Sequence, residues 1–90
     1  MRAKRVPSKD PDDILDYWIT YAPTDGDTIV SASWDIPDGL VNDDDEVTDE
    51  RATVWLSGGT AGTEYLFTGR IVTAMGRTID QSFKLYVEEH

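Results

Sequence analysis

The ninety residues include no cysteine. No disulfide and no thiolate-bound metal can staple the fold. The one histidine, His90, stands at the last position of the sequence. Ser-His-Asp catalysis and imidazole metal sites therefore have almost nothing to work with. No stretch of about 18 apolar residues exists, so no helix of this sequence would span a membrane. The basic residues near the start have no apolar run behind them, which excludes a secretory signal. The expectation is a soluble protein made and kept in a cytoplasm, or built into a particle there. A chain this short hides only about 60 % of its unfolded surface, so its core is small and partner subunits are a natural supplement.

The first nine residues lack acids altogether. They hold Arg2, Lys4, Arg5 and Lys9, while the whole chain carries a net charge of −10. Residues 10–90 set Arg51, Arg70, Arg77 and Lys84 against all eighteen acids, a balance of −14. Such a body repels a phosphate backbone, and neither nucleic acid nor membrane is expected as a partner. Pro7 and Pro11 interrupt residues 1–12, which show no hydrophobic periodicity. Proline removes a donor and biases its predecessor toward extended backbone. Residues 1–12 are therefore expected to be an extended basic arm, and residues 13–90 a single domain.

What the domain has in abundance is alternation. Residues 14–21 are aromatic and β-branched, with Leu15, Tyr17, Ile19 and Tyr21 on one side and Ile14 and Trp18 on the other. That composition favours a strand over a short helix. Residues 28–36 place Thr28, Val30, Ala32, Trp34 and Ile36 on one expected inward face, with Trp34 as an anchor. Ala52, Val54 and Leu56 alternate with Thr53, Trp55 and Ser57. Beyond Gly58-Gly59-Thr60-Ala61-Gly62, Tyr65 and Phe67 alternate with Glu64, Leu66 and Thr68. This pattern predicts a hairpin around a glycine-rich turn. Gly69 within the following strand points to a bulge or a close approach. Ile79, Gln81, Phe83, Leu85 and Val87 form the cleanest face of all. About seven short strands, spaced by turn signals, predict an all-β fold. Its expected form is an immunoglobulin-like antiparallel β-sandwich with an extended N-terminal arm.

Chemistry is sparse. The glycine-rich loop opens no helix and ends in no lysine, so it lacks the context of a phosphate cradle. Six acids crowd residues 43–50. They miss the EF-hand pattern, and such a run marks a solvated loop or a protected sheet edge. A cation at Asp43–Glu46 is left open. Ser57 lacks both a nucleophile elbow and a base. No catalytic residue, metal ligand or cofactor site is expected. Interfaces are enriched in aromatics and arginine. The expected partner-binding residues are Arg2, Lys4, Arg5 and Lys9 in the arm, with Trp55, Arg77 and Tyr86. Gly59 joins them, because a bare glycine lets another backbone approach closely.

Four stretches occur in a specific order. They are Lys9-Asp10-Pro11-Asp12-Asp13-Ile14-Leu15-Asp16-Tyr17, Gly26-Asp27-Thr28-Ile29-Val30-Ser31, Thr53 through Tyr65, and Thr73-Ala74-Met75-Gly76-Arg77-Thr78. Together they resemble a family of small virion proteins of tailed bacteriophages, of the fiber-tail adaptor or neck type. The resemblance implies a non-enzymatic structural subunit of the virion tail or neck. Several copies, in a ring, would contact other virion proteins and the fibers. Two further readings stay open at this point: a capsid decoration protein, and a carbohydrate-binding sandwich that stacks sugars on Trp55 and Tyr86.

Overall fold

The computed structural model describes residues 3–90. Seven strands follow in order: β1 (Lys4–Arg5), β2 (Leu15–Thr20), β3 (Ile29–Asp35), β4 (Leu40–Val47), β5 (Arg51–Gly58), β6 (Thr63–Thr73) and β7 (Thr78–Val87). No helix occurs among the described residues. One sheet has the order β1-β7-β6-β3 and the other β2-β5-β4. Every pairing is antiparallel except that of β1 with β7, which is parallel.

The inner faces meet in one core. Tyr17 and Ile19 of β2, with Ala52, Val54 and Leu56 of β5, face Phe67 and Ile71 of β6 and Phe83, Leu85 and Val87 of β7. Alternation requires this, since each strand has one apolar side to hide. At the centre Phe67 and Phe83 stack with centroids 4.9 Å apart. Tyr17 meets Phe67 edge-on at 5.3 Å, and Trp34 leans on both phenylalanines. Gly69 is a close approach and not a bulge. A Cβ there would lie 2.6 Å from the Trp34 ring and 2.8 Å from Ile19. The indole of the expected anchor thus occupies the space that any other residue would fill.

Two expectations need correction. The first concerns the glycine-rich hairpin. β5 pairs with β2 and β4, whereas β6 pairs with β3 and β7. The connector therefore carries the chain from one sheet to the other. Alternation and turn residues mark both arrangements equally, because neither encodes which strand lies alongside. At this corner the Tyr65 hydroxyl accepts the Thr60 N–H at 2.8 Å.

The second concerns the face of β3. Val30, expected inward, is 59 % exposed, while Ile29 is buried. The register against β6 shifts between Ile29 and Ser31. This bulge adds one residue and flips the alternation at its start, so Ala32, Trp34 and Ile36 keep the expected face and Val30 does not. Asp43–Glu46 take the sheet-edge reading and not the loop: they lie within β4, which pairs only with β5, with a second register shift between Asn42 and Asp44.

Residues 4–9 run alongside β7 of their own domain, and the chain then turns at residues 10–13. Lys4 stands opposite Phe83 and Arg5 opposite Lys84. The Lys9 N–H donates to the Tyr86 carbonyl, and the Glu88 N–H donates back to the Lys9 carbonyl.

Candidate partner-binding surface

The outward side chains divide between two faces. On the outer face of β2-β5-β4, Trp18 is 43 % exposed and Trp55 half-buried. The Arg51 guanidinium lies 5.3 Å above the Trp18 ring, a cation–π contact. Tyr86 stands on the outer face of the other sheet with Leu66, which is 55 % exposed. There Arg5 reaches Glu64 at 3.1 Å, and Arg70 grips Asp80 through two hydrogen bonds of 2.7 and 2.9 Å. The Arg70 guanidinium holds the Asp80 carboxyl below the usual carboxylate range. Trp55 and Tyr86 therefore project from opposite sides of the sandwich. No single sugar can stack on both, and the carbohydrate reading loses its platform.

Two of the expected contact residues are occupied internally. Lys9 has no exposed surface. Its ammonium donates to the carbonyls of Gly58 at 2.6 Å and Asp10 at 2.8 Å, with the Pro11 carbonyl at 3.5 Å. An ammonium with three donors can be buried only where acceptors surround it. Lys9 thereby ties the N-terminal segment to the β5–β6 corner. Gly59, in that corner, has φ +98°. A Cβ on it would stand 2.7 Å from Val87 and 3.3 Å from Leu40. Its bare side faces the chain's own core.

Arg77 is held as well. It donates to the Tyr21 hydroxyl, to Asp25 and to Asp27. Asp27 is a buried carboxylate that also accepts the N–H groups of Thr28 at 2.9 Å and Met75 at 3.0 Å, and the Tyr21 hydroxyl at 2.9 Å. Burial pulls the Asp27 carboxyl up. The donors from Thr73, Met75, Tyr21 and Thr28 together outweigh it and hold the carboxyl below its ordinary value. The hydrogen bond from Arg77 does the same for Asp25, and the guanidinium is itself stabilised in its charged form. The network locks the turn before β3 to the turn between β6 and β7.

Lys4 and Arg5 remain at a free edge. Beside them a groove of about 410 Å³ runs between β1 and β2, walled by Val6, Pro7, Leu15, Tyr17 and Trp18 and floored by Phe83. Tyr17 is buried, and its hydroxyl has no hydrogen-bond partner. Burial pushes its ionisation up to about 12. Of the seven expected contact residues that are described, the structure brings Lys4 and Arg5 to the groove, and Lys9 and Gly59 to the β5–β6 corner. Arg2 lies outside the described residues. No group of histidine, aspartate or glutamate able to hold a metal ion occurs among the described residues, Asp43–Glu46 included. Sequence reasoning missed the groove. Its one legible sign was the apolar pair Leu15 and Tyr17 next to a proline-bearing segment.

A family described as podophage GP4 fiber-tail adaptor protein gp77 matches residues 9–86. The chain belongs to this family. No curated protein matches it. The matched span opens at the caged Lys9 and closes at Tyr86, its backbone partner across the β7 edge. The fiber-tail adaptor family's span therefore contains β2 to β6 entire, most of β7 and the Asp27–Arg77 network.

Proposed function

We propose that the chain is a structural subunit of a podophage virion, an adaptor that links fibers to the tail or neck through protein–protein contacts. The family match across both sheets carries this reading. The chemistry agrees with it. The polar clusters are spent on holding loops together, and the apolar groove and outward aromatics suit protein contacts. The role is non-enzymatic, its partners are other virion proteins, and its place is the assembled particle, built in the host cytoplasm. Several copies around a ring would add avidity to individually small contacts.

The immunoglobulin-like arrangement belongs to the same reading. The order β1-β7-β6-β3 against β2-β5-β4, the inward Trp34 on β3 and the Tyr65 corner bond all support it. So does the role of residues 1–12 as an arm, given the path of residues 4–9 along β7.

Cryo-electron microscopy of the phage particle tests the function. Density for the sandwich is expected where fibers join the tail or neck, and particles assembled without the chain should lack fibers. Density spread over the capsid shell would replace the adaptor reading with a decoration protein.

A further inference from the structure

The sandwich has two open sides with opposite charge. On one, β1 pairs only with β7 and β2 only with β5, so among the described residues both leave a backbone edge free around the groove. Lys4 and Arg5 stand at its mouth. Lys4 makes no ion pair among the described residues, and Arg5 has only the exposed contact to Glu64. On the opposite side, β4 pairs only with β5. Its free edge carries Asp43, Asp44, Asp45 and Glu46, all exposed and none paired with a cation among the described residues. Val41 and Val47 are exposed on the same strand.

We propose that the β1 side of the groove receives strand β4 of a second copy of this chain. The incoming strand adds to the free edge of β1 and continues the β1-β7-β6-β3 sheet. Its carboxylates lie against Lys4 and Arg5, and Val47, which the register places on the other face from Val41, covers the apolar floor. The buried Tyr17 hydroxyl, now without a partner, gains an acceptor from the arriving backbone. Asp16 on the β2 wall repels the acidic strand and keeps it on the β1 side. The two contact surfaces differ, so the interface is head-to-tail. It propagates from copy to copy and closes into a ring where the rotation allows. The strand pairing and the apolar floor supply most of the affinity, while the charges set direction and partner.

The inference rests on the chain's own edges and charges, so it stands or falls apart from the adaptor reading, which the particle's density tests separately. The full chain is sedimented at millimolar concentration in low and high salt, beside two charge-reversed variants, Lys4→Glu/Arg5→Glu and Asp44→Lys/Asp45→Lys. Circular dichroism first shows that each variant is folded. Wild type is expected to self-associate in low salt and to associate more weakly as salt rises. Each variant alone should associate roughly a hundredfold more weakly. An equimolar mixture of the two should assemble again, because each acidic edge then meets a basic one. A wild type that stays monomeric in low salt overturns the proposal. So does a mixture that fails to assemble, or variants that associate as wild type does. A monomer whose Lys4→Glu/Arg5→Glu form is lost from the particle assigns the groove to another virion protein, and this too overturns it.

Discussion

Lys4 and Lys9 stand five residues apart on the same stretch of chain. Lys4 is exposed at a sheet edge, while Lys9 is wholly buried in a cage of carbonyls. The acids repeat the contrast. Asp27 is buried and surrounded by donors, whereas Asp43–Glu46 line a free edge without a cation. The interior charges cross-link segments far apart in sequence: Lys9 to Gly58, and Asp27 to Met75 and Arg77. The edge charges make only local hydrogen bonds, from the Asn42 amide to Asp45 and from the Asp45 N–H to Asp44. Residue type does not separate the two uses; the supply of partners does. A buried charge survives only where its bonds are complete, and an edge charge keeps a strand from pairing indiscriminately.

The sharpest way to break the comparison is to shorten both lysines. Lys9→Ala leaves two carbonyls unpaired and opens a cavity, and is expected to cost about 3 kcal/mol in urea unfolding. Lys4→Ala should stay within roughly 0.5 kcal/mol of wild type. Equal losses would mean that the cage does not hold the segment. Next in size is Asp27→Ala, which strands the donors around it and should lower the melting temperature by roughly 10 °C. Its counterpart Asp45→Ala should leave the melting temperature unchanged or slightly raised.

Titration sharpens the same contrast. Asp25, Asp27 and Asp80 have folded values held below the ordinary carboxylate range. The stability they contribute is present above the unfolded carboxylate value, near 4, and is lost as pH falls through their folded values. Asp27→Asn should flatten that acid slope in melts taken between neutral and low pH; an unchanged slope would count against the network. At the other end, Tyr17 rises from 10.0 unfolded to about 12 folded. Its raised value means stability is full below pH 10 and declines as pH climbs toward 12. The smallest expected effect is that of Tyr17→Phe, which should remove this decline. At neutral pH it should change stability by less than about 1 kcal/mol, because the hydroxyl has no partner to lose.

Much of the fold was legible where one strand decides its own face. The β7 set from Ile79 to Val87 turns inward as its alternation predicts, while in β2, where both sets carry bulky groups, only the fold shows that Leu15, Tyr17 and Ile19 turn inward. Trp34 was legible as an anchor and Gly69 as a bulge or a close approach, although not as partners of each other. The β3 bulge was not, because an inserted residue leaves no mark in a string of small and β-branched side chains. The β5–β6 corner was mistaken for a hairpin because its glycines serve either geometry. The surface was less legible than the core. Lys9 is chemically identical to Lys4, and only carbonyls brought from residues 10 and 58 make it an interior group. Arg77 and Gly59 were marked by type, but folding commits both to contacts within the chain. Trp55 and Tyr86 are outward as expected, yet on opposite faces.

The parallel pairing of β1 with β7 has a consequence in time. Lys4 finds its place only opposite Phe83. During synthesis the first strand to emerge must wait for the last, and pairings this distant in sequence form slowly. Until β7 exists, the ammonium of Lys9 is hydrated and the wall that β1 gives to the groove is missing. A partner that recognises that wall would therefore pass over unfinished chains and select the folded one.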